Sequence, residues 1–304
     1  MALDQHAQEF LDAASRGPST PLAETSVADL RAAIDALIPV GFEREDVWAV
    51  EEQQIAGVPA RRYVPEPAVP ATVVYLHGGS FVRCGLHTHD TLCRRLANRS
   101  GCAVVAVDFS LAPEATYPRQ LDEIGSVVEA LVRGGATGGV GAPGRVMVAG
   151  ESSGGNLAAA TALRLRDAGG PALAGLVLLV PVLDRDSGTT SRRELAQDYG
   201  LSDEQLRWMF DQYAPGAADD DPLVHPFRAR DLGGLPPTAV VTAEFDPLRD
   251  EGEAFAGRIR AAGARAEYTC IPGTIHHAPL VPRRIPAGAA VVDTAAAFLR
   301  TFAA

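Results

Sequence analysis

Gly150-Glu151-Ser152-Ser153-Gly154 fits Gly-x-Ser-x-Gly, a spacing in which two glycines let a serine stand on a tight turn. With 30 glycines in 304 residues, the bare pattern is weak. Its flanks strengthen it: RVMVAG reads as a strand and NLAAATALRLRD as an Ala/Leu-rich helix, so Ser152 falls at a strand-to-helix turn with helix amides aimed at it. A serine hydroxyl is unreactive near neutral pH, so it needs a base to take its proton and an acid to hold that base. For a serine on such a turn, the acid and then the base follow along the chain. Of seven histidines, only His276 and His277 follow both Ser152 and an acid carried by a later strand. The base is one of these two neighbours, in a loop just after the strand-like AEYTCI. For the acid, TAVVTAEFDPLRD offers Glu244, Asp246 and Asp250. Asp246 lies at the strand's carboxyl end, where sites in open parallel sheets are built. Asp250 falls in the next helix's first turn, where a carboxylate is stabilised without any chemical role.

The oxyanion formed when such a serine attacks an acyl carbon needs backbone donors. His77-Gly78-Gly79-Ser80 follows the first strong strand, and its glycines let an oxygen approach the Gly78 and Gly79 amides, with the Ser153 amide as a third donor. Taken alone, the same residues read as a plain glycine turn. Phe81, Trp208, Met209 and Tyr213 are candidate pocket walls; the plainer account of LSDEQLRWMFDQY is a helix packing its aromatic side onto the domain. Cys84, His87, His89 and Cys93 carry zinc-competent atoms, but their spacing matches none of the usual finger patterns, so no metal is expected.

The elements that must position these groups are legible from periodicity. Residues 1–38 read as helical, broken at Gly17-Pro18 and followed by Pro39, and two weaker strand candidates lie between Val47 and Val64. Thereafter short Val-rich runs, TVVYLH, AVVAVDF, RVMVAG, GLVLLVP, TAVVTAE and AEYTCI, alternate with helices near 88–99, 118–133, 154–168, 250–262 and 287–302. That alternation predicts an α/β fold with a mostly parallel sheet covered on both faces. It breaks once, between Asp184 and Leu235. The expected organisation is a helical cap segment at 1–42, a catalytic domain at 43–183 and 235–304, and an inserted cap segment at 184–234. A glycine-rich stretch, GGATGGVGAPG, interrupts the pattern without forming a repeat.

Composition narrows the class. The net charge of −11 and pI near 5.1 disfavour nucleic acid or an anionic membrane as partner. The start, MALDQHAQEF, lacks a basic then apolar leader, and the longest apolar run, from Gly175 to Leu183, is too short to span a bilayer, which points to the cytoplasm. Four cysteines without a leader read as free thiols, with Cys102 and Cys270 as small core residues.

Together these motifs resemble the bacterial hormone-sensitive lipase family of carboxylesterases, which has the α/β-hydrolase fold. HGGSF is similar to its oxyanion motif, GESSGGN to its nucleophile elbow and DPLRDEG to its acid motif, over a likeness running from about Val73 to His276. The resemblance implies Ser152, Asp246 and His276 as triad and Gly78, Gly79 and Ser153 as oxyanion hole. It further implies a cap from the N-terminal helices and the 184–234 insert, small esters of short to medium acyl chains as substrates, no cofactor, and often a homodimer. Three positions depart from the family pattern: Phe109-Ser110 replaces Tyr-Arg, Ser80 replaces a glycine or alanine, and His276-His277-Ala278 replaces His-Gly-Phe. Alternatives on the same fold are an acyl-transfer, lactone-opening or elimination enzyme, and a small-molecule receptor on an inactive scaffold.

Overall fold

Strands buried along their whole length need cover on both faces, and the alternation of helices supplies it. The computed structural model describes residues 2–16, 24–35, 41–134 and 145–303. In chain order its elements are α1 (Gln5–Ser15), α2 (Val27–Asp35), β1 (Ala49–Ile55), β2 (Val58–Val64), β3 (Val69–Leu76), α3 (Asp90–Ser100), β4 (Cys102–Val107), α4 (Arg119–Val132), β5 (Val146–Glu151), α5 (Ser153–Asp167), β6 (Gly175–Leu179), α6 (Thr190–Leu195), α7 (Asp203–Tyr213), β7 (Thr238–Phe245), α8 (Arg249–Ala261), β8 (Ala266–Ile275) and α9 (Ala289–Ala303). The expected breaks at Gly17-Pro18 and Pro39, and the glycine-rich stretch from 135 to 144, lie outside the described residues.

The sheet runs in the order β1-β2-β4-β3-β5-β6-β7-β8. The two weaker candidates form the antiparallel hairpin β1-β2; β2 is antiparallel to β4, and every later pairing is parallel. Side-chain alternation sorts the core into two layers. Val74 and Leu76 of β3 and Val148 of β5 face the layer filled by Leu121 and Ile124 of α4, Leu157 of α5 and Phe255 of α8. Val73 and Tyr75 of β3 and Met147 of β5 face Leu92 and Leu96 of α3 and Val291 and Leu299 of α9. Both layers together make the sheet a rigid floor whose carboxyl edge carries the site.

α6 and α7 fall where the alternation breaks. α7 starts with a capping box: Gln205 N–H donates to Ser202 Oγ (3.1 Å) and Ser202 N–H to Gln205 Oε1 (2.9 Å). At the other end of the chain, Asp4 caps α1 by accepting from the His6 and Ala7 amides. Leu3, Ala7, Phe10 and Leu11 then pack on Ile275, Ala278 and Val281, so α1 buttresses the loop that follows β8. α2 is tied to the other side of the same edge, because Arg31 donates to the carbonyls of Val82 (2.9 Å) and Ala112 (3.2 Å) and pairs with Glu114.

No disulfide joins Cys84, Cys93, Cys102 and Cys270. Cys102 is a core residue as expected, whereas Cys270 is only half-buried, because β8 is an edge strand with one side uncovered. Among the described residues no helix is long and apolar enough to cross a membrane.

Candidate active site

Ser152 sits between β5 and α5 with φ 54° and ψ −117°, a left-handed conformation that a non-glycine residue holds only under strain. The turn admits it because its neighbours have no side chains: a Cβ on Gly150 would overlap the Gly154 carbonyl, and one on Gly154 would overlap the Leu76 carbonyl. The serine's own peptide is held by donation from Ser152 N–H to Leu179 O (2.9 Å) and from Asn156 N–H to Ser152 O (3.1 Å).

The loops after β7 and β8 bring the expected partners to it. Ser152 Oγ lies 2.9 Å from His276 Nε2, and His276 Nδ1 lies 2.8 Å from Asp246 Oδ2. The other Asp246 oxygen accepts from Leu248 N–H (2.9 Å), so both carboxylate oxygens have assigned donors. Asp246 is fully buried and His276 nearly so. Burial disfavours the imidazolium, yet the carboxylate of Asp246 outweighs it and holds the His276 pKa above the ordinary imidazole value. The alternative acids are elsewhere: Asp250 accepts from Ser191 N–H (2.7 Å), and Glu244 accepts from Gly273 N–H (2.8 Å).

His277 points to the same cavity but not to Ser152. Its ring meets that of His276 edge-on (5.4 Å, 88°), and its Nδ1 is buried without a partner. Burial pushes its pKa down to about 3, so it stays neutral.

Among the expected oxyanion donors the structure makes one correction. The Gly78 amide is already committed, donating to Glu151 Oε2 at 3.0 Å, so it is not available to a substrate oxygen. Gly79 and Ser80 line the cavity beside Ser152, and among the described residues their amides donate to no protein acceptor. The Ser153 amide, first in α5, has no acceptor within its helix. The turn that presents them is closed by donation from Val82 and Arg83 amides to Gly79 O and from Phe81 N–H to Ser153 Oγ.

Glu151 went unread in the sequence, although an acidic residue ending a fully buried strand was the available signal. It braces the Gly78 peptide and lies 3.4 Å from His89 Nε2. Beneath it His77 Nδ1–H donates to Gly78 O (2.7 Å) and the ring stacks on Phe109 (4.4 Å, 15°), which is how the Phe109 departure supports the glycine turn. Ser110 is occupied with Glu123, through both its amide and its hydroxyl (2.8 Å each).

The cavity over Ser152 is walled by Leu30 and Ile34 of α2, by Leu201, Leu206, Trp208 and Met209 in and before α7, and by Leu280. Trp208 and Met209 are thus placed as expected, but Phe81 and Tyr213 are not at this surface. Their rings stack on each other (4.0 Å, 8°) in the core, because the left-handed turn at Ser80 and Phe81 drives the Phe81 ring inward against the last turn of α7. Phe81→Ala is expected to cost about 3–5 kcal/mol of stability, read as a lower urea midpoint; an unchanged midpoint would refute the packing role. The Cys84, His87, His89 and Cys93 side chains do not form a cage either: Cys93 is in the α3 core and His89 faces Thr88 and Glu151. Among the described residues no three His, Cys, Asp or Glu side chains gather to hold a metal.

A family model described as alpha/beta hydrolase fold matches residues 73–280. The chain belongs to the α/β-hydrolase family. The hormone-sensitive lipase likeness of HGGSF, GESSGGN and DPLRDEG lies inside this matched segment. A carboxylesterase of Mycobacterium tuberculosis is 37% identical over 233 residues, covering 73% of this chain and 71% of that protein. Among solved structures, an ester hydrolase from the Lake Arreo metagenome, complexed with a bipyridine phosphonate derivative, superposes with a TM-score of 0.90 at 34% identity over 98% of each chain. A thermostable esterase from Pseudomonas putida gives 0.90 at 32% identity, over 100% of this hydrolase and 98% of that chain.

Proposed function

We propose that this α/β hydrolase is a serine carboxylesterase acting on small esters through an acyl-enzyme on Ser152. The observation that carries the reading is the continuous chain from Asp246 through His276 to Ser152, with both links at hydrogen-bond length. Its relatives and structural neighbours, named carboxylesterase and esterase, support the same class.

The geometry suits two-step ester hydrolysis. As Ser152 Oγ attacks the acyl carbon, its proton passes to His276 Nε2, and the carbonyl oxygen becomes an oxyanion received by the Gly79, Ser80 and Ser153 amides. Each such donor is worth about 3 kcal/mol in the transition state. His276 Nε2–H then protonates the leaving alkoxide, and the C–O bond breaks to give the acyl-enzyme. A water entering the vacated space gives its proton to His276 as it attacks, and collapse returns the proton to Ser152. Asp246 stays ionised throughout and keeps the imidazole proton on Nδ1 at the start of each half-reaction.

The N-terminal helices and the 184–234 insert together act as the cap. Support comes from their placement: α2 and α7 contribute the apolar walls above Ser152, and α1 holds the base loop. In the same reading β8, the uncovered edge strand, is the surface on which two copies would pair. An organophosphonate should label the protein at one site, Ser152, with loss of hydrolysis of a short-chain para-nitrophenyl ester in step; mass mapping to another residue, or labelling without inhibition, would reject the assignment.

A further inference from the structure

The cavity over Ser152 holds one group that ester hydrolysis as described does not use. Arg83 lines it, three residues after Ser80, with its Nε buried and without a hydrogen-bond partner. Among the described residues no acceptor or carboxylate engages its guanidinium. Glu151, which also lines the cavity, attracts Arg83 only through space, its Oε2 being taken by the Gly78 amide and lying 3.4 Å from His89 Nε2. Burial is the larger effect and draws the guanidinium below its usual pKa, so the charge sits in a place that disfavours it. His277 beside it cannot neutralise it, because that imidazole is itself neutral and its buried Nδ1 is likewise unpartnered. The other walls are largely leucine, isoleucine, tryptophan and methionine.

A half-buried guanidinium with a buried, unpartnered Nε and no carboxylate bonded to it is an incomplete ion pair, and the missing half can enter from the cavity mouth. Its planar fork matches the two oxygens of one carboxylate, whereas a phosphate dianion ordinarily draws several donors. We infer that Arg83 is a specificity residue of this esterase, selecting esters that carry a free carboxylate on the acyl or alcohol side. This rests on the esterase reading given above.

The test uses two matched pairs: para-nitrophenyl hydrogen glutarate against its methyl ester, and para-acetoxybenzoate against its methyl ester. In the wild type the charged member of at least one pair should show the higher kcat/KM, by about tenfold or more. Arg83→Met should lower that charged-to-neutral ratio by about 10- to 100-fold, with Arg83→Lys restoring part of it. Ratios near one in both pairs, or a loss in Arg83→Met equal for charged and neutral esters, would overturn the inference. Glutarate binding by calorimetry needs no turnover and no variant: binding of glutarate but not glutaramide supports the site, and equal or no binding of the two overturns it. If no ester of either charge is cleaved, the esterase reading fails, while the calorimetric result still decides the role of Arg83.

Discussion

Ser152→Ala is expected to reduce kcat on a short-chain ester about a million-fold, the largest effect of any single substitution in this protein. The substitution removes the oxygen that lies 2.9 Å from His276 Nε2 and leaves the acid, the base and the amide donors in place. The residual rate should therefore exceed that of the ester in water by about a thousand-fold, since a polarised carbonyl can still be attacked by a water that His276 deprotonates. Alanine meets the same positive φ as serine, so the turn is no more strained and the folded protein should persist. Initial rates with a para-nitrophenyl ester, beside circular dichroism to confirm folding, make the comparison. An undiminished rate in folded Ser152→Ala would remove Ser152 from the mechanism altogether.

Asp246→Asn should lower kcat about ten-thousand-fold and also move the acid side of the pH profile. The Leu248 amide needs an oxygen to donate to, so the new amide keeps its oxygen there and turns its NH2 toward His276 Nδ1. A donor at that position forces the imidazole proton onto Nε2, where it blocks acceptance of the Ser152 proton. In the wild type His276 works only when neutral, and its pKa is raised above the ordinary imidazole value. Activity is thus present above that pKa and is lost as pH falls through it. With the carboxylate gone, the raising influence disappears while burial, which lowers the pKa, remains, so the acid limb must shift to lower pH. Profiles of kcat/KM measured for both proteins decide it: an unmoved limb with less than a tenfold loss in kcat would refute the role given to Asp246.

Much of the architecture was legible in one dimension because it depends on local patterns. The Val-rich runs of β3 to β7 are buried on both faces and so carry few polar residues, and the helices between them show the helical period. The Ser152 turn could be located for the same reason: glycine is required wherever backbone comes too close for a Cβ, and Gly150 and Gly154 are such places. Elimination by chain order reduced the base to two neighbours.

What remained belonged to contacts between residues far apart in the chain. Whether Gly78 or Ser80 offers a free amide depends on the Glu151 side chain, which reaches back 73 residues to take the first. Phe81 and Tyr213 are pocket-like residue types, but their stacking across 132 residues makes them core. Between His276 and His277, only the path of the loop pinned by α1 and β8 decides which ring meets Ser152. Arg83 carries no signal at all in sequence, because an unpaired charge is defined by every side chain that fails to reach it. The sequence by itself determined the order of strands and helices, the strained serine turn and the types of group at the site, since these follow from spacing and from the space each residue requires. Tertiary structure alone decided which amides, which imidazole and which charge face the cavity, because those outcomes are set by packing between elements rather than within them.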